Sequence, residues 1–471
     1  MTTSFWQQVR REQETAYDVI VVGGGIVGCS TAYWLHRQQP SLRVAILEAR
    51  TLGAGASGRN AGFVLQGAHA DYRSDMDRYG ERTARRLWNF TRANRDLLAE
   101  ELCETAFDWD SDGSLTAAGS AEERERLRAG LSPLRAAGAP AVYLDSEETN
   151  ARLGASGFCG GLFVTTGAVV NPLRLVRHVA AQSEADVHPQ HPVEHIHWRD
   201  PGVRVDTPGR RFRADRVVLA LGPSLPDLVP AASSFVRPVR AQMLATAPAD
   251  ASHTPVPVYS HYGGFYARQL EDGRVLAGGG RHQHRDAEET SADATTPAVQ
   301  ATIERYLHTY FPWTRSLSIE QRWSGTMGFS PDGRPVVGHL PEHPEGLFAT
   351  GFTGHGMATA SGWGACWRPW LPRAQDDPRR STCSPPRASR MQRPGRRTRG
   401  RGRSGQPDTD EGTFLQHCCK EAESTGRSRK YIPQTTNLRI FHRFCRCVQK
   451  LLKFALGLND ANRRPGETPI R

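Results

Sequence analysis

The stretch from Tyr17 to Glu48 constrains the fold more than any other part of this chain. An apolar strand over residues 19–22 runs directly into Gly-Gly-Gly-Ile-Val-Gly at 23–28, a helical pattern follows, and Glu48 closes a second apolar strand. Glycines at the first, third and sixth positions of this run allow a tight turn, a close approach of backbone to pyrophosphate, and close packing of helix on strand. The helix N-terminus favours phosphate charge, and a carboxylate about 20 residues downstream suits a ribose hydroxyl. The order of these elements predicts a dinucleotide-binding unit, with a glycine-rich turn in an ordinary α/β domain as the alternative.

Two amino-acid compositions share the chain of 471 residues. Residues 365–471 hold 24 Lys and Arg against 9 Asp and Glu, so residues 1–364 carry 36 basic and 40 acidic side chains. All four lysines and six of the nine cysteines lie in the second part. The first part is therefore mildly acidic and long enough to bury a large core, and we predict two intertwined domains within it.

Cysteine usage and the N-terminus bear on the cellular compartment. Cys29, Cys103 and Cys159 are scattered through the first part, which implies no disulfide framework and fits a reducing environment. Residues 1–16 are polar and charged, without the apolar core of a secretory signal. No run approaches the roughly 20 apolar residues that span a bilayer. We therefore expect a cytoplasmic protein with no membrane partner.

Hydrophobic periodicity and turn signals predict the order of elements. Asn171-Pro172 has the form of a helix start, with Asn as the N-cap and Pro at the first helical position. Alternation predicts a small antiparallel meander over 195–213, followed by a separate buried strand at 215–222. The other predicted elements are helices at about 25–36, 75–103, 121–137 and 297–310, and strands at 43–47, 237–243, 264–268, 274–278 and 317–324.

At this point the residues resemble the FAD-dependent oxidoreductases of the D-amino-acid oxidase superfamily, close to glycine oxidase, sarcosine oxidase and γ-glutamylputrescine oxidoreductase. The resemblance covers residues 15–364, and the order and spacing of its segments make it specific. The four segments are the fingerprint to Glu48, Gly53-Ala-Gly-Ala-Ser-Gly-Arg-Asn-Ala-Gly62, Trp323-Ser-Gly-Thr-Met-Gly-Phe-Ser-Pro-Asp-Gly-Arg-Pro-Val-Val-Gly338 and Gly351-Phe-Thr-Gly-His-Gly-Met-Ala358.

The resemblance implies an α/β fold, α+β overall, in which a Rossmann-like FAD-binding domain is interleaved with an antiparallel-sheet substrate domain. We assign residues 15–90, 145–230 and 325–364 to the FAD-binding domain, and residues 91–144 and 231–324 to the substrate domain. Residues 365–471 form a basic, low-complexity tail that we expect to be disordered.

The resemblance also implies FAD rather than NAD, and it implies which residues hold it. A reduced flavin gathers negative charge at one edge of its ring, and a glycine-rich turn that opens a helix offers backbone N–H groups there. Residues 351–356 fit that need, with a tight turn before a packing helix as the alternative. The expected FAD-binding residues are Gly23, Gly25, Ile26, Val27, Gly28, Glu48, Ala49, Ser57, Arg59, Asn60, Ala61, Gly62, Val193, Gly222, Gly328, Gly351, Thr353, Gly354, His355, Gly356 and Met357.

The family likeness implies oxidation of a carbon–nitrogen bond in a small amine or amino acid. Hydride passes to the flavin, the imine hydrolyses, and oxygen or another acceptor then takes the electrons. No acid–base residue is obligatory, and His355 is expected to be a neighbour of the cofactor. The candidates for lining the substrate pocket are Met243, His261, Tyr262, Tyr266 and Arg268, with Arg240 and Gln242 beside them. The alternative is that the aromatic residues only pack the sheet of the second domain.

Departures from the family pattern bear on the substrate and on the cofactor bond. Members that act on free amino acids often carry an Arg shortly after the motif Trp, whereas Met327 stands in that region. This disfavours a free D-amino acid. Sarcosine-oxidase-like enzymes place a Lys beside the flavin, where its positive charge helps oxygen to accept electrons. Residues 1–364 contain no Lys. We therefore expect that His261, His355 or an Arg supplies the positive charge, or that the electron acceptor is not oxygen. No cysteine lies in 323–338, so we expect FAD to be bound non-covalently.

Three further hypotheses accompany this interpretation. We expect no metal site, because the histidines at 188–197 and 282–284 lack acid or Cys partners at familiar spacings.

We hypothesise that residues from about 365 arise from a reading-frame shift, which the nucleotide sequence tests. The alternative is a basic arm that binds nucleic acid or anionic lipid. The rival functions are a catalytically inactive flavoprotein or tail-dependent binding protein, and a flavin-dependent hydroxy-acid dehydrogenase.

Overall fold

The fingerprint strand lies at the centre of a parallel sheet. The computed structural model describes residues 14–67, 71–102, 104–251, 253–340 and 342–364. Along the main path of this first sheet, neighbouring strands are parallel except at one edge, where residues 336–340 pair antiparallel with residues 343–350. Its strands in spatial order are β17 (Val336–Leu340), β18 (His343–Thr350), β11 (Arg210–Leu219), β1 (Glu14–Val22), β2 (Val44–Leu47) and β8 (Asp186–His188).

Alternate residues of β1 face two different cores, as expected of a parallel strand that is covered on both sides. Val19 and Val21 pack under helices α1 (Ile26–Gln38) and α6 (Pro172–Gln182), whereas Ile20 and Val22 face a second cluster. Asn171 caps α6, its side chain accepting a hydrogen bond from the Arg174 N–H at 3.2 Å. The predicted helix start at Asn171-Pro172 is therefore confirmed.

The second cluster is covered by an antiparallel meander of β9 (His195–Trp198), β10 (Val203–Thr207) and the first half of β11. A buried strand is present where residues 215–222 predict one, but it ends at Leu219 and is continuous with residues 210–214. β10 pairs with the beginning of β11, and β18 pairs with its end at Val217–Leu219. One strand thus serves both the meander and the parallel sheet.

A second, largely antiparallel sheet packs one face on helix α9 (Pro297–Tyr310), where Leu244, Phe265 and Ala277 meet Ile303. Among the described residues, the pair of strands at 258–260 and 114–117 is parallel and the other pairs of this sheet are antiparallel. The strands in spatial order are β16 (Ile319–Phe329), β12 (Arg237–Thr246), β15 (Val275–Gly279), β14 (Phe265–Gln269), β13 (Val258–Ser260), β4 (Ser114–Ala117), β6 (Gly161–Val164) and β5 (Ala141–Leu144).

The remaining elements connect the two sheets. A two-stranded sheet pairs β3 (Phe63–Val64) with β7 (Ala168–Val169). The remaining helices are α2 (Tyr72–Tyr79), α3 (Glu81–Glu101), α4 (Ala121–Ala136), α5 (Ser146–Leu153), α7 (Leu225–Leu228), α8 (Arg285–Glu288) and α10 (Gly356–Gly364). Within the described residues, none of the helices has the length and apolar character that crossing a membrane requires.

Two segments join a different sheet from the one expected of them. Strand β6 pairs with β4 and β5, so it extends the second sheet although it follows the proposed boundary at 145. Leu97 and Leu98 of α3 belong to the core under the first sheet, although they follow the boundary at 91. A short apolar strand is compatible with either sheet, because its own residues do not determine which strand it pairs with. The tail and its proposed disorder lie outside the described residues.

Candidate functional site

The turn between β1 and α1 has no room for side chains at its glycines. A Cβ on Gly28 would lie 1.9 Å from the Gly23 carbonyl oxygen, and one on Gly23 would lie 2.5 Å from the Ala220 oxygen. Gly23 also has a φ of +111°, which L side chains rarely adopt. Gly25 is the N-cap of α1 and offers no capping side chain. The turn therefore brings backbone, without bulky side chains, to the N-terminus of α1, the arrangement that a pyrophosphate requires.

Glu48 lies at the carboxyl end of β2, directly beside this turn. One of its carboxylate oxygens accepts from the Gly24 N–H at 2.7 Å, and the other accepts from the Arg50 N–H at 2.9 Å. The chain after β8 runs alongside, since the His191 N–H donates to the Glu48 carbonyl. Val193 follows and is partly buried against the core of the meander. The structure thus places the acid and this segment beside the turn between β1 and α1.

The loop at 56–62 links the first helix to the second sheet. Ser57 Oγ accepts from the Ile26 N–H at 3.0 Å, and the Asn60 side chain bonds three backbone groups within the loop. Arg59 Nη1 donates to the Ser324 carbonyl at 3.0 Å and to Asp293 at 2.5 Å. A Cβ on Gly62 would lie 2.0 Å from the Val170 oxygen. The loop is thus fixed from both sides.

The turn before α10 joins three segments that are distant in sequence. Its left-handed residues Gly351, Thr353 and Gly354 have φ values of +70°, +49° and +87°. The Thr353 N–H donates to the Gly328 carbonyl at 3.0 Å, and Thr350 Oγ1 donates to the Gly222 carbonyl at 2.7 Å. The N-terminus of α10 therefore opens beside the ends of β16 and β11.

Side chains around this turn hold α10 against the rest of the domain. Met357 is buried in the core that also contains residues of α1. The Asn94 carboxamide on α3 accepts from the Gly362 N–H at 2.6 Å and donates to the Met357 carbonyl at 3.4 Å. His355 Nδ1 bonds the Thr353 carbonyl at 3.2 Å, so its ring stabilises the turn.

These features fit a dinucleotide with a ring system at its far end. Two helix N-termini open on the same sheet, the first over closely packed glycines and the second over a glycine-rich turn. The loop at 56–62 lies between the first helix and the second sheet and presents small residues. The residues present could hold FAD, with its adenosine end at Glu48 and its ring system toward Gly354.

A row of aligned side chains lies on the face of the second sheet opposite α9. Cross-strand register joins Trp323 to Met243, Met243 to Gly278, Gly278 to Tyr266, and Tyr266 to Tyr259. Since residues directly opposite in a sheet share a face, we name these five residues the aromatic row. The row lies against the 56–62 loop, because Trp323 Nε1 donates to the Arg59 carbonyl at 2.9 Å.

Phe63 and Gly278 determine how the side chains of this row pack. The Phe63 ring packs edge to face on Tyr259 and Tyr266, with centroids 5.1 and 6.1 Å apart. Gly278 leaves the centre of the row empty of side chain, and a Cβ there would lie 2.5 Å from the Tyr266 ring. Met243 is 2% exposed. The Tyr266 ring thus packs directly over the backbone of Gly278, with Phe63 beside it.

Comparison with known proteins decides the family. A model of the FAD dependent oxidoreductase family, DAO, matches residues 18–366, which is well over half of the chain. The chain belongs to this family. FAD is therefore its cofactor, and the resemblance and the fold class predicted from sequence are confirmed.

Curated relatives of this FAD-dependent oxidoreductase carry several names. The probable oxidoreductase OrdL of Rhizobium meliloti (strain 1021) is 26% identical over 355 residues, which is 73% of this chain and 80% of OrdL. The γ-glutamylputrescine oxidoreductase of Escherichia coli (strain K12) is 27% identical over 72% of this chain and 80% of its own length. The glycine oxidase of Geobacillus kaustophilus (strain HTA426) is 29% identical over 70% and 86%.

Solved structures show the same fold. The glycine oxidase of Geobacillus kaustophilus has a TM-score of 0.64 at 24% identity, covering 74% of this chain and 93% of that protein. The L-proline dehydrogenase of P. horikoshii also has a TM-score of 0.64, at 19% identity, with 75% and 92% covered. At such identities the likeness establishes the fold of the oxidoreductase.

Both tyrosines of the oxidoreductase's aromatic row are neutral hydrogen-bonding groups. Burial raises the pKa of Tyr266 to about 12, and burial also raises the pKa of Tyr259, with the nearby Tyr266 adding to the rise. Among the described residues, neither phenol oxygen has a hydrogen-bond partner. Neither oxygen is fully buried, so each hydroxyl can bond to a ligand or to solvent.

Arg268 lies on the same face as Tyr266, two residues further along β14. Its Nη1 donates to the Ala61 carbonyl at 3.2 Å and to the Val170 carbonyl at 3.0 Å. Burial lowers the pKa of the guanidinium, and its Nε is buried without a hydrogen-bond partner in the described part of the chain. This residue clamps the 56–62 loop to the second sheet.

Two of the five pocket candidates, His261 and Tyr262, do not join the aromatic row. His261 packs on the α9 side, with Nδ1 bonded to Ser260 Oγ and Nε2 to the Tyr310 hydroxyl, each at 3.0 Å. Tyr262 is 50% exposed in the turn. Alternation along β13 and β14 sends neighbouring residues to opposite faces, and the turn itself is formed by these two left-handed residues.

Arg240 and Gln242 also lie on the α9 side, where both bond the buried carboxylate of Glu288. Met243, Tyr266 and Arg268 are the pocket candidates that the structure brings together.

Several residues at the site escaped the sequence reasoning. Phe63 directly follows the 53–62 loop, and its ring could have been expected to continue that loop's surface. Gly278 occupies the position opposite Met243 and Tyr266, but its role depends on strand register, which a single sequence does not reveal. Asp293 carries no motif at all. Within the described residues, no three His, Cys, Asp or Glu side chains cluster as a metal site would require.

Proposed function

We propose that this FAD-dependent oxidoreductase oxidises a carbon–nitrogen bond of a small amine or amino acid. The substrate loses a hydride from carbon and a proton from nitrogen, and water then converts the imine to a carbonyl compound and a free amine. The names of its relatives, among them glycine oxidase and γ-glutamylputrescine oxidoreductase, support this reaction class. Bound FAD supplies the hydride acceptor, and the chain itself supplies binding and orientation.

The aromatic row is the observation that carries the proposal. The faces of Tyr259, Tyr266 and Trp323 can attract an ammonium group through their π electrons. The same buried setting disfavours the charged form of an amine, because desolvation penalises it. A substrate amine held there therefore gives up its proton more readily and becomes neutral, the form from which a hydride can leave.

The two phenols orient the substrate and are not bases. Since burial raises the pKa of both Tyr259 and Tyr266, neither is ionised at neutral pH. Each can still donate one hydrogen bond and accept another. Their free hydroxyls can therefore hold the substrate nitrogen or a neighbouring oxygen, while Phe63 and Met243 exclude water from the same space.

Anaerobic reduction of the bound flavin tests the proposal. The purified full-length protein is mixed without oxygen with glycine, sarcosine, proline, D-alanine, polyamines and γ-glutamylputrescine, and bleaching of the flavin absorption is followed. We expect at least one of these to bleach the flavin and, for the acyclic compounds, to release ammonia or a primary amine. A flavin that only a hydroxy acid bleaches would favour a hydroxy-acid dehydrogenase, and one that no compound bleaches would indicate an inactive flavoprotein.

The electron acceptor is tested in the same preparation. Residues 1–364 contain no lysine that could stand beside the flavin. We therefore propose that an arginine supplies the positive charge there, or that the acceptor is not oxygen. Reoxidation of the reduced protein by air and by an artificial electron acceptor distinguishes an oxidase from a dehydrogenase.

A further inference from the structure

The segment between α8 and α9 crosses from the second sheet to the loop at 56–62. It begins after Glu288, the last residue of α8, and ends at Thr296, the N-cap of α9. We name residues 289–296 the strap and residues 56–62 the cofactor loop. Six of the eight strap residues are exposed, so the position of the strap depends on a few polar contacts.

Gln242 on β12 ties both ends of the strap to the second sheet. Its buried carboxamide nitrogen donates to the Glu288 carboxylate and to the Thr296 hydroxyl, each at 2.9 Å. Its carboxamide oxygen accepts from the Thr296 N–H, also at 2.9 Å. The middle of the strap has a longer bond to this sheet, from Arg240 Nη1 to the Ala292 carbonyl at 3.5 Å. The exposed middle can therefore open locally while both ends stay in place.

Asp293 joins the middle of the strap to the cofactor site. Its carboxylate accepts from Arg59 Nη1 at 2.5 Å, from Ser324 Oγ at 3.3 Å and from Arg50 Nη1 at 3.5 Å. The hydrogen bond with Arg59 lowers the pKa of Asp293, so this carboxylate is charged at neutral pH. One charge on the strap thus serves two arginines, one in the cofactor loop and one two residues after Glu48.

The cofactor loop lies over the N-terminus of α1, where we expect the pyrophosphate of FAD. Ser57 Oγ accepts from the Ile26 N–H at 3.0 Å, and a Cβ on Gly25 would lie 2.9 Å from the same oxygen. Arg59 is two residues further along this loop, and its bond to Asp293 restrains the loop from the side of the second sheet. The strap therefore acts on the cofactor site through the loop that borders it.

We propose that the strap closes the FAD site from outside, and that Asp293 is the positioning residue that holds the strap against the cofactor loop. Loss of the Asp293 contacts frees the cofactor loop on one side, so non-covalently bound FAD leaves faster. The role concerns retention of the cofactor and not the chemical step. It goes beyond the proposed function, because it does not depend on which substrate is oxidised.

Release of FAD from the purified holoenzyme tests the proposal. The holoenzyme is diluted into buffer without FAD, and the rise in flavin fluorescence gives the release rate. Asp293→Asn should release FAD about 3- to 10-fold faster than the wild type, the range expected when exposed ion pairs are lost. Asp293→Glu keeps the charge and should stay closer to the wild-type rate.

Salt provides a second readout that a merely structural role would not change. The Asp293 carboxylate and the Arg50 side chain are 52% and 54% exposed, so added salt screens their attraction. Release from the wild type should therefore approach that from Asp293→Asn as KCl is raised from about 0.05 to about 1 M. A ratio of the two rates that does not fall with salt would overturn the ionic role.

The matched control is Glu289→Gln, which removes an acid of the same strap whose partner, Arg237, lies on β12. It should release FAD at the wild-type rate. Equal rates for the wild type and Asp293→Asn would overturn the proposal, and so would equal acceleration by Glu289→Gln. If Asp293→Asn fails to fold, Arg50→Gln decides, because it removes one partner of the same carboxylate and must also accelerate release.

The outcomes for the two proposals are distinguishable. A flavin that no amine bleaches removes the proposed oxidation and leaves the role of Asp293 intact, since FAD release is measured without substrate. Rapid bleaching together with unchanged release from Asp293→Asn has the opposite meaning. A protein that binds no FAD removes both.

Discussion

At the scale of single residues, Gly28 and Gly278 are important at the two ends of the site because neither carries a side chain. The first allows α1 to begin against the Gly23 carbonyl, and the second leaves room for the Tyr266 ring itself. The first glycine could be predicted from sequence, since its spacing carries a known mechanism. The second could not, because its neighbours are defined only by the pairing of β12, β14 and β15.

Replacing Gly28 with alanine should remove the cofactor. The added methyl would lie 1.9 Å from a backbone oxygen, which cannot move away without shifting α1. We expect the variant to purify with little flavin and to lose about 1–3 kcal/mol of unfolding free energy, as overpacked sites do. Flavin absorbance per protein and urea unfolding measure both. Gly55→Ala is the control, because a Cβ there meets nothing within 4 Å; equal flavin content in the two variants would contradict the prediction.

Gly278→Ala should affect catalysis and spare cofactor binding. The new Cβ would displace the Tyr266 ring and with it the contact with Phe63. Because small misplacements at a reacting centre are costly, we expect kcat/KM to fall about 100-fold with the best substrate. Steady-state kinetics and flavin content are the measurements. Unchanged kinetics would show that the aromatic row does not position the substrate.

His261 should make stability depend on pH. Burial lowers the pKa of its imidazole, with a smaller contribution from the charge of His282, so the folded state resists a proton that the unfolded state accepts. Its stabilisation is therefore complete above the ordinary pKa of about 6.5 and declines below it, by up to about 1.4 kcal/mol per pH unit. Urea unfolding between pH 8 and pH 5 should show a shallower slope for His261→Asn, which tolerates the left-handed backbone. An identical slope would assign the effect to other histidines.

At the scale of elements, the buried pair of Arg240 and Glu288 attaches α8 to β12. Their side chains are 5% and 0% exposed, and hydrogen bonding to Glu288 raises the pKa of Arg240. The segment that follows carries Asp293, which bonds Arg59 of the cofactor loop. The pair thus connects the second sheet to the cofactor loop through one short stretch of chain.

Glu288→Ala should be strongly destabilising. It leaves the Arg240 guanidinium buried without its counter-ion, a change that costs about 3–5 kcal/mol. The comparison is Glu289→Ala, whose partner Arg237 is 57% exposed and whose loss should cost less than about 1 kcal/mol. Urea unfolding measures both. Similar losses in the two variants would mean that burial does not set the strength of these pairs.

Elements with strong local signals were predictable. The helix at 297–310 and the start of α6 follow from periodicity and from an Asn-Pro cap, both of which act over neighbouring residues. Pairing partners were not predictable, as β6 shows. The opposite faces of His261 and Tyr266 depend on where the turn between β13 and β14 falls, and that turn uses two left-handed residues that are not glycine.

At the scale of the whole molecule, the site belongs to both sheets. The residues that we propose hold FAD extend from Gly23 to Met357, and the 56–62 loop bonds the second sheet through Arg59 and Trp323. Binding of FAD should therefore stabilise the whole described region together.

FAD added to the apoprotein should raise its unfolding temperature in a single transition. At a concentration 100 times the Kd, the gain is about 2.7 kcal/mol. Riboflavin, which lacks the adenosine pyrophosphate that the Gly23–Gly28 turn would hold, should give a smaller shift. Calorimetric scans at several FAD concentrations measure the effect. A midpoint that does not move with FAD, or two transitions of which only one moves, would contradict this picture.

The two neighbours of β11 are synthesised at different times, which affects folding on the ribosome. Val217–Leu219 pair on one side with β1, which is already made, and on the other with β18, which begins only at His343. At about 5–20 residues per second, the second side of that segment remains without its strand for on the order of ten seconds. An apolar strand edge open for so long can pair with another nascent chain. Production of this flavoprotein should therefore benefit from slower expression or from chaperones that shield the edge until β18 emerges.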